Sequence, residues 1–79
     1  MLFIFFLRKY NYWMQIIING IEKNIVSGLT LETLLIELGH ANKKLAVEVN
    51  EEIIPRSQLS NKLVNDGDKI EIINAVGGG

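Results

Sequence analysis

The chain has no cysteine and carries one proline and one histidine among its 79 residues. Without cysteine there is no disulfide, no thiolate–metal site and no internal thiol or persulfide nucleophile. The lone histidine, His40, does not make a metal site by itself, and none is expected. Apolar runs are short: Leu2 to Leu7 is a run of six, whereas a membrane-spanning helix takes about 20 apolar residues. Phosphate-binding signatures are missing too, since no GxxxxGK[ST] occurs and no glycine loop opens a helix. Positive charge is also scarce. Of 8 basic groups, Arg8 and Lys9 lie at the N-terminus, so residues 14–79 set 6 basic groups against 9 acidic ones, a net of −3. A nucleic-acid binder draws most of its affinity from a basic footprint, and this acidic body lacks one. No nucleophile–base or metal constellation exists, so the protein is expected not to be an enzyme.

What is present is an ordinary globular composition, 48% hydrophobic and 22% charged, in a chain long enough for one small domain. Met14-Gln15-Ile16-Ile17-Ile18 is a β-branched run closed by Asn19-Gly20, the strongest short hairpin signal. Ile21 to Val26 reads as the returning strand. Thr30 suits a helix N-cap, and Leu31, Leu34, Leu35 and Leu38 form one apolar stripe at i, i+3, i+4 and i+7. Gly39 suits the C-terminal cap. Leu45 to Asn50 alternates with Leu45, Val47 and Val49 inward. Glu51-Glu52 reads as a turn, and Ile53-Ile54 as a short strand cut off by Pro55. Leu59 and Leu63 are spaced for one helical turn. Asp66-Gly67-Asp68 is turn chemistry, and Lys69 to Asn74 is the last strand with Ile70 and Ile72 inward.

The order is ββαββ, with a short strand at Ile53-Ile54 and a short helical segment before the last strand. This predicts an α+β domain, a mixed sheet of four to five strands with one main helix packed on one face. The crossover through the helix favours a later strand lying parallel to an earlier one. Alternation puts Ile17, Ala46 and Ile73 on the sheet's other face, beside Glu48, Lys69 and Glu71, as a candidate docking surface.

The domain is read as residues 14–74, followed by a flexible functional tail at 75–79 and preceded by an extension at 1–13. Three readings fit the extension: upstream sequence ahead of a natural start at Met14, an added edge strand, or a membrane-surface anchor. It lacks the order of a secretory signal, because its basic pair follows the apolar run.

Ala75-Val76-Gly77-Gly78-Gly79 follows directly on a strand. Glycine has no Cβ, so such a tail adopts almost any backbone conformation and passes through a narrow channel. Five extended residues reach about 17 Å, enough to enter another protein's active site. A carboxylate is a poor electrophile, and acyl chemistry there needs prior activation, most economically as an acyl-adenylate. The activating machinery would be a separate protein.

Met14-Gln15-Ile16, Val47-Glu48-Val49-Asn50, Ile54-Pro55-Arg56, Leu63 through Asp66-Gly67-Asp68, Ile70-Glu71-Ile72 and the closing Ala75-Val76-Gly77-Gly78-Gly79 together resemble the sulfur-carrier proteins of thiamine (thiazole) biosynthesis. The resemblance covers residues 14–79. It implies a ubiquitin-like β-grasp fold and a carrier role for Gly79. That glycine would be adenylated by a ubiquitin-activating-type enzyme using ATP and magnesium, with no cofactor bound by the carrier itself. It would then become a thiocarboxylate, with sulfur from cysteine supplied through a desulfurase, and deliver that sulfur to thiazole synthase. Gly77, Gly78 and Val76 would accompany Gly79 into the partners' active sites. Arg56 reads equally as a partner contact or as a surface arginine after a rigid proline. The implied setting is the cytoplasm, or the stroma of an organelle, with the free carrier a monomer. Rival readings are a sulfur carrier for molybdopterin synthesis, a ubiquitin-like modifier joined to lysines, and a non-covalent β-grasp binding module.

Overall fold

The computed structural model describes residues 13–40 and 44–74. Among the described residues, five strands and one α-helix follow in the order β1 (Trp13–Ile18), β2 (Ile21–Val26), α1 (Leu31–Glu37), β3 (Leu45–Val49), β4 (Glu52–Ile54) and β5 (Lys69–Asn74), with a 3-10 turn at Arg56–Gln58 between β4 and β5. The strands make one mixed sheet in the order β2-β1-β5-β3-β4. This is the α+β architecture the alternation and the leucine stripe predict.

Asn19 and Gly20 both take positive φ, at 48° and 84°, which is what a two-residue hairpin turn matching strand twist requires. β1 and β2 therefore pair antiparallel in full, from Trp13 opposite Val26 to Ile18 opposite Ile21. Trp13, assigned by sequence to the extension, is thus the first residue of β1. The second hairpin turns at Asn50-Glu51, with φ of 54° and 72°, one residue earlier than Glu51-Glu52. The shift frees Glu52 to pair with Val49 as the start of β4.

The parallel pairing expected from the crossover is made by β5, which lies beside β1 through Ile17 opposite Lys69 and Ile18 opposite Ile70. β3, the first strand after the helix, sits one place further out and pairs antiparallel with β5. β5, the strand leading to the C-terminal tail, thereby becomes the central strand of the sheet.

Thr30 caps α1 by accepting from the Thr33 backbone N–H at 3.2 Å. Two further helix N–H groups donate to the connecting segment, Leu31 to the Lys62 carbonyl at 2.8 Å and Glu32 to the Leu59 carbonyl at 3.1 Å. At the other end Gly39, at φ 85°, lets its own N–H reach the Ile36 carbonyl and that of His40 reach the Leu35 carbonyl. Those paired bonds form the Schellman arrangement that the glycine makes accessible. The helix is only 7 residues long, too short to persist alone, so burial of Leu31, Leu34 and Leu35 holds it in place.

The core joins those leucines to Met14, Ile16, Ile18, Ile25, Val47, Val49, Ile54 and Ile70 on the inner face of the sheet. Full burial of each such side chain contributes roughly 1.5–3 kcal/mol. Val64 completes the core at 3% exposure, whereas Leu63 is 54% exposed. The helical turn expected across Leu59 and Leu63 is instead the 3-10 turn at Arg56–Gln58. Leu63 forms an extended bridge to Thr30, so successive side chains face opposite ways and Val64 points inward.

Candidate functional site

The strand that leads to the tail is fixed at both of its ends. Ahead of it, buried Asp68 accepts from the Asn50 side-chain amide at 3.0 Å and from the Asn65 backbone N–H at 2.8 Å. Asn50 in turn accepts from the Lys69 N–H at 2.9 Å. One carboxylate thus ties the β3–β4 turn to the start of β5. Asp66 accepts from the Gln15 N–H at 2.9 Å, and Gly67 donates to the Gln15 carbonyl at 2.8 Å. The Asp-Gly-Asp turn thereby carries the contact with β1 on below the two paired residues of β5.

At the far end β5 outruns β1, whose ladder with it stops at Ile18 opposite Ile70. Asn19 takes over there. Its backbone N–H donates to the Ile70 carbonyl at 2.9 Å. Its side-chain carbonyl accepts from the Ile72 N–H at 2.7 Å, and its side-chain amide donates to the Ile72 carbonyl at 3.3 Å. The carboxamide stands where the next peptide of β1 would have been. On the other side β3 continues to the last residues, with Ala46 opposite Ile73 and Leu45 opposite Asn74.

The outer face of the sheet carries the residues proposed from sequence as a docking surface, and the register separates them. Ala46 and Ile73 are direct cross-strand partners, and Ile73 is 52% exposed. Ile17 stands opposite Lys69, four positions before Ile73 along β5, or about 13 Å at 3.3 Å per residue. The compact apolar element is therefore the Ala46–Ile73 pair, at the root of the tail, with Ile17 in a separate position. Next to that pair, Glu48 lies opposite Glu71 and Ile53 lies opposite Glu48 on β4, with Ile53 69% exposed. Two carboxylates face each other on adjoining strands, an arrangement that opposes folding.

Arg56 is exposed in the 3-10 turn that follows Pro55. Ile54 lies opposite Val47, which lies opposite Ile72. The Pro55-Arg56 segment therefore leaves the sheet at the end where β5 terminates. Val76, Gly77, Gly78 and Gly79 lie outside the described residues, as do residues 1–12. Among the described residues no group of histidine and carboxylate side chains is arranged to hold a metal, and no helix is long and apolar enough to cross a membrane.

Sequence reading treated Asn19 as a turn residue only. Its partner Ile72 is 53 positions away, and nothing local in the sequence marks a contact at that distance. Asp68 and Asn50 were likewise visible only as turn and strand-end residues.

The ThiS family model matches residues 16–79, the tail included. Over 66 residues the chain is 50% identical to a thiazole synthase of Paramagnetospirillum magneticum, a match covering 84% of this chain and 20% of that protein. It spans the same one-fifth share of a thiazole synthase from Magnetococcus marinus. Over 66 residues it is 33% identical to the sulfur carrier protein ThiS of Escherichia coli, covering 84% of this chain and all of that one. The crystal structure of the thiamine biosynthesis protein ThiS from Geobacter metallireducens superposes with a TM-score of 0.73 at 30% identity, covering 84% of this chain and all of the other. With the β-grasp sheet, the strand that runs into the glycine tail and a family match over both, this chain belongs to the ThiS family.

Proposed function

We propose that this protein is the sulfur carrier of thiamine biosynthesis and that Gly79 is the position that carries the sulfur. The observation that supports this reading best is that the ThiS family match runs through residue 79, so the glycine tail belongs to what is shared. A carboxylate oxygen of Gly79 attacks the α-phosphorus of ATP in the active site of an adenylating partner, with magnesium bound there. Pyrophosphate leaves, and the terminus becomes an acyl-adenylate. Sulfur from cysteine, held as a desulfurase persulfide and brought to the sulfide level by two-electron reduction with thiols, then forms the carbon–sulfur bond and expels AMP. The resulting thiocarboxylate surrenders its sulfur to thiazole synthase. Val76, Gly77 and Gly78 supply a narrow tether for the partners' channels, and the carrier binds neither ATP nor metal itself. The setting proposed for these steps is the cytoplasm or an organellar stroma.

The Ala46–Ile73 pair is the docking contact at the base of this tether, flanked by Glu48 and Glu71. A partner surface that suits it is apolar with a basic group placed to face the two carboxylates. Thiazole synthase is the acceptor favoured over a molybdopterin-forming one, because segments similar to this chain occur within proteins named thiazole synthase. Incubation with the adenylating enzyme, ATP and a sulfur donor should raise the mass of the C-terminal peptide by the difference between sulfur and oxygen. A variant lacking Gly78 and Gly79 should fold normally and acquire no sulfur. Sulfur acquired at an internal residue would contradict the assignment.

A further inference from the structure

Asn19 makes a contact that the hairpin does not need. The turn itself is satisfied by positive φ at Asn19 and Gly20, and a glycine at position 19 would meet that requirement as well. The side chain instead reaches across to β5, accepting from the Ile72 N–H at 2.7 Å and donating to the Ile72 carbonyl at 3.3 Å. Both polar groups of one strand residue are thus held by a single carboxamide, which mimics the peptide unit β1 has just ceased to provide. Ile72 is the last β5 residue for which the β1 side offers a partner among the described residues. Two residues later the strand gives way to the tail. β3 anchors this end from one side alone, and a strand end held by one neighbour frays more readily than one held by two.

We infer that Asn19 is a positioning residue for the carrier reaction: its carboxamide clamps Ile72 from the β1 side and so holds in place the end of β5 from which the tail follows. The inference rests on the carrier reading above. A tether rooted on a fixed strand end confines its terminal carboxylate to a smaller volume around the partner's reacting phosphorus once the body has docked. A loosened root spreads the same carboxylate over a larger volume. Docking and delivery are then separable, since the outer-face residues govern how much carrier is needed and Asn19 governs how fast bound carrier reacts.

The test uses the full chain with its adenylating enzyme, reading the rate of pyrophosphate release from ATP across a range of carrier concentrations. N19G keeps the turn and removes the clamp. N19D keeps the turn and the acceptor for the Ile72 N–H but loses the donor to the Ile72 carbonyl. The expected result for N19G is a fall in kcat of roughly 3–10-fold, with KM for the carrier changed less than about twofold, as for a lost alignment of a docked reactant. Hydrogen exchange at the Ile72 amide should quicken in N19G while core amides such as Ile16 keep their protection. N19D should recover much of both the rate and the Ile72 protection, giving an independent reading should N19G fold poorly. Faster exchange at Ile72 with kcat unchanged would overturn the positioning role alone. A wild-type chain that releases no pyrophosphate and gains no sulfur would overturn the carrier reading and this inference together.

Discussion

At the scale of single residues, the inner face of the sheet has little tolerance for change. Ile70 is fully buried near the start of β5, between Ile18 of β1 and Val49 of β3. Ile70→Ala should lower stability by about 2–5 kcal/mol through lost burial and the cavity left behind, measured by urea denaturation. Most of this core was legible in advance, because a period of two on strands and an i, i+3, i+4 stripe on a helix name their buried members directly. Val64 was not legible, since it lies in an irregular segment with no period. Its inward orientation comes from the Thr30–Leu63 bridge, a contact between distant parts of the chain. The Asn19–Ile72 contact at one end of β5 and the Asn50–Asp68 contact at the other are hidden for the same reason. Each residue looks like turn chemistry locally, and its structural role lies with a partner far along the sequence.

At the scale of elements, caps and turns decide where each piece begins and ends. The Thr30 hydroxyl satisfies one of the orphan N–H groups of α1, and Thr30→Ala should cost about 1 kcal/mol of stability, seen as a lower denaturation midpoint at unchanged m-value. Glu51 sits at φ 72°, a left-handed conformation that costs a side-chain-bearing residue roughly 1–2 kcal/mol. Glu51→Gly removes that strain but adds roughly 0.5–1 kcal/mol of unfolded-state entropy. A net gain of about 0.5 kcal/mol in thermal or urea unfolding is the expected outcome. Helix α1 and the first hairpin are readable from the sequence because Thr30, Gly39 and Asn19-Gly20 act locally. The second turn was misplaced by one residue, since Asn50-Glu51 adopts the same left-handed pair without the glycine that usually signals it.

At the scale of the whole molecule, the mixed sheet brings the end of β5, the Ala46–Ile73 pair and the Glu48–Glu71 pair to one side and one end. Ile73→Asp adds a third carboxylate there and removes the apolar contact without touching the core. Its unfolding free energy should fall by about 1 kcal/mol, from lost strand propensity and like-charge repulsion, while KM in the adenylation assay rises several-fold under conditions where the variant stays folded. An unchanged KM would move the docking surface elsewhere. The glycine tail itself was the plainest feature of the sequence. Its relation to this surface was not, because only the strand order shows that Ala46 stands beside Ile73 while Ile17 does not.

The placement of β5 as the third of five strands also bears on mechanics. A partner that draws the tail into a channel pulls on β5 along its own axis. The five residue pairs with β3 and the parallel contact with β1 then resist sliding together as a load shared along the strand. An edge strand pulled sideways would peel away one bond at a time. Under the proposed carrier role, a pull on the C-terminus would therefore load the central strand of the sheet, which is held on both sides.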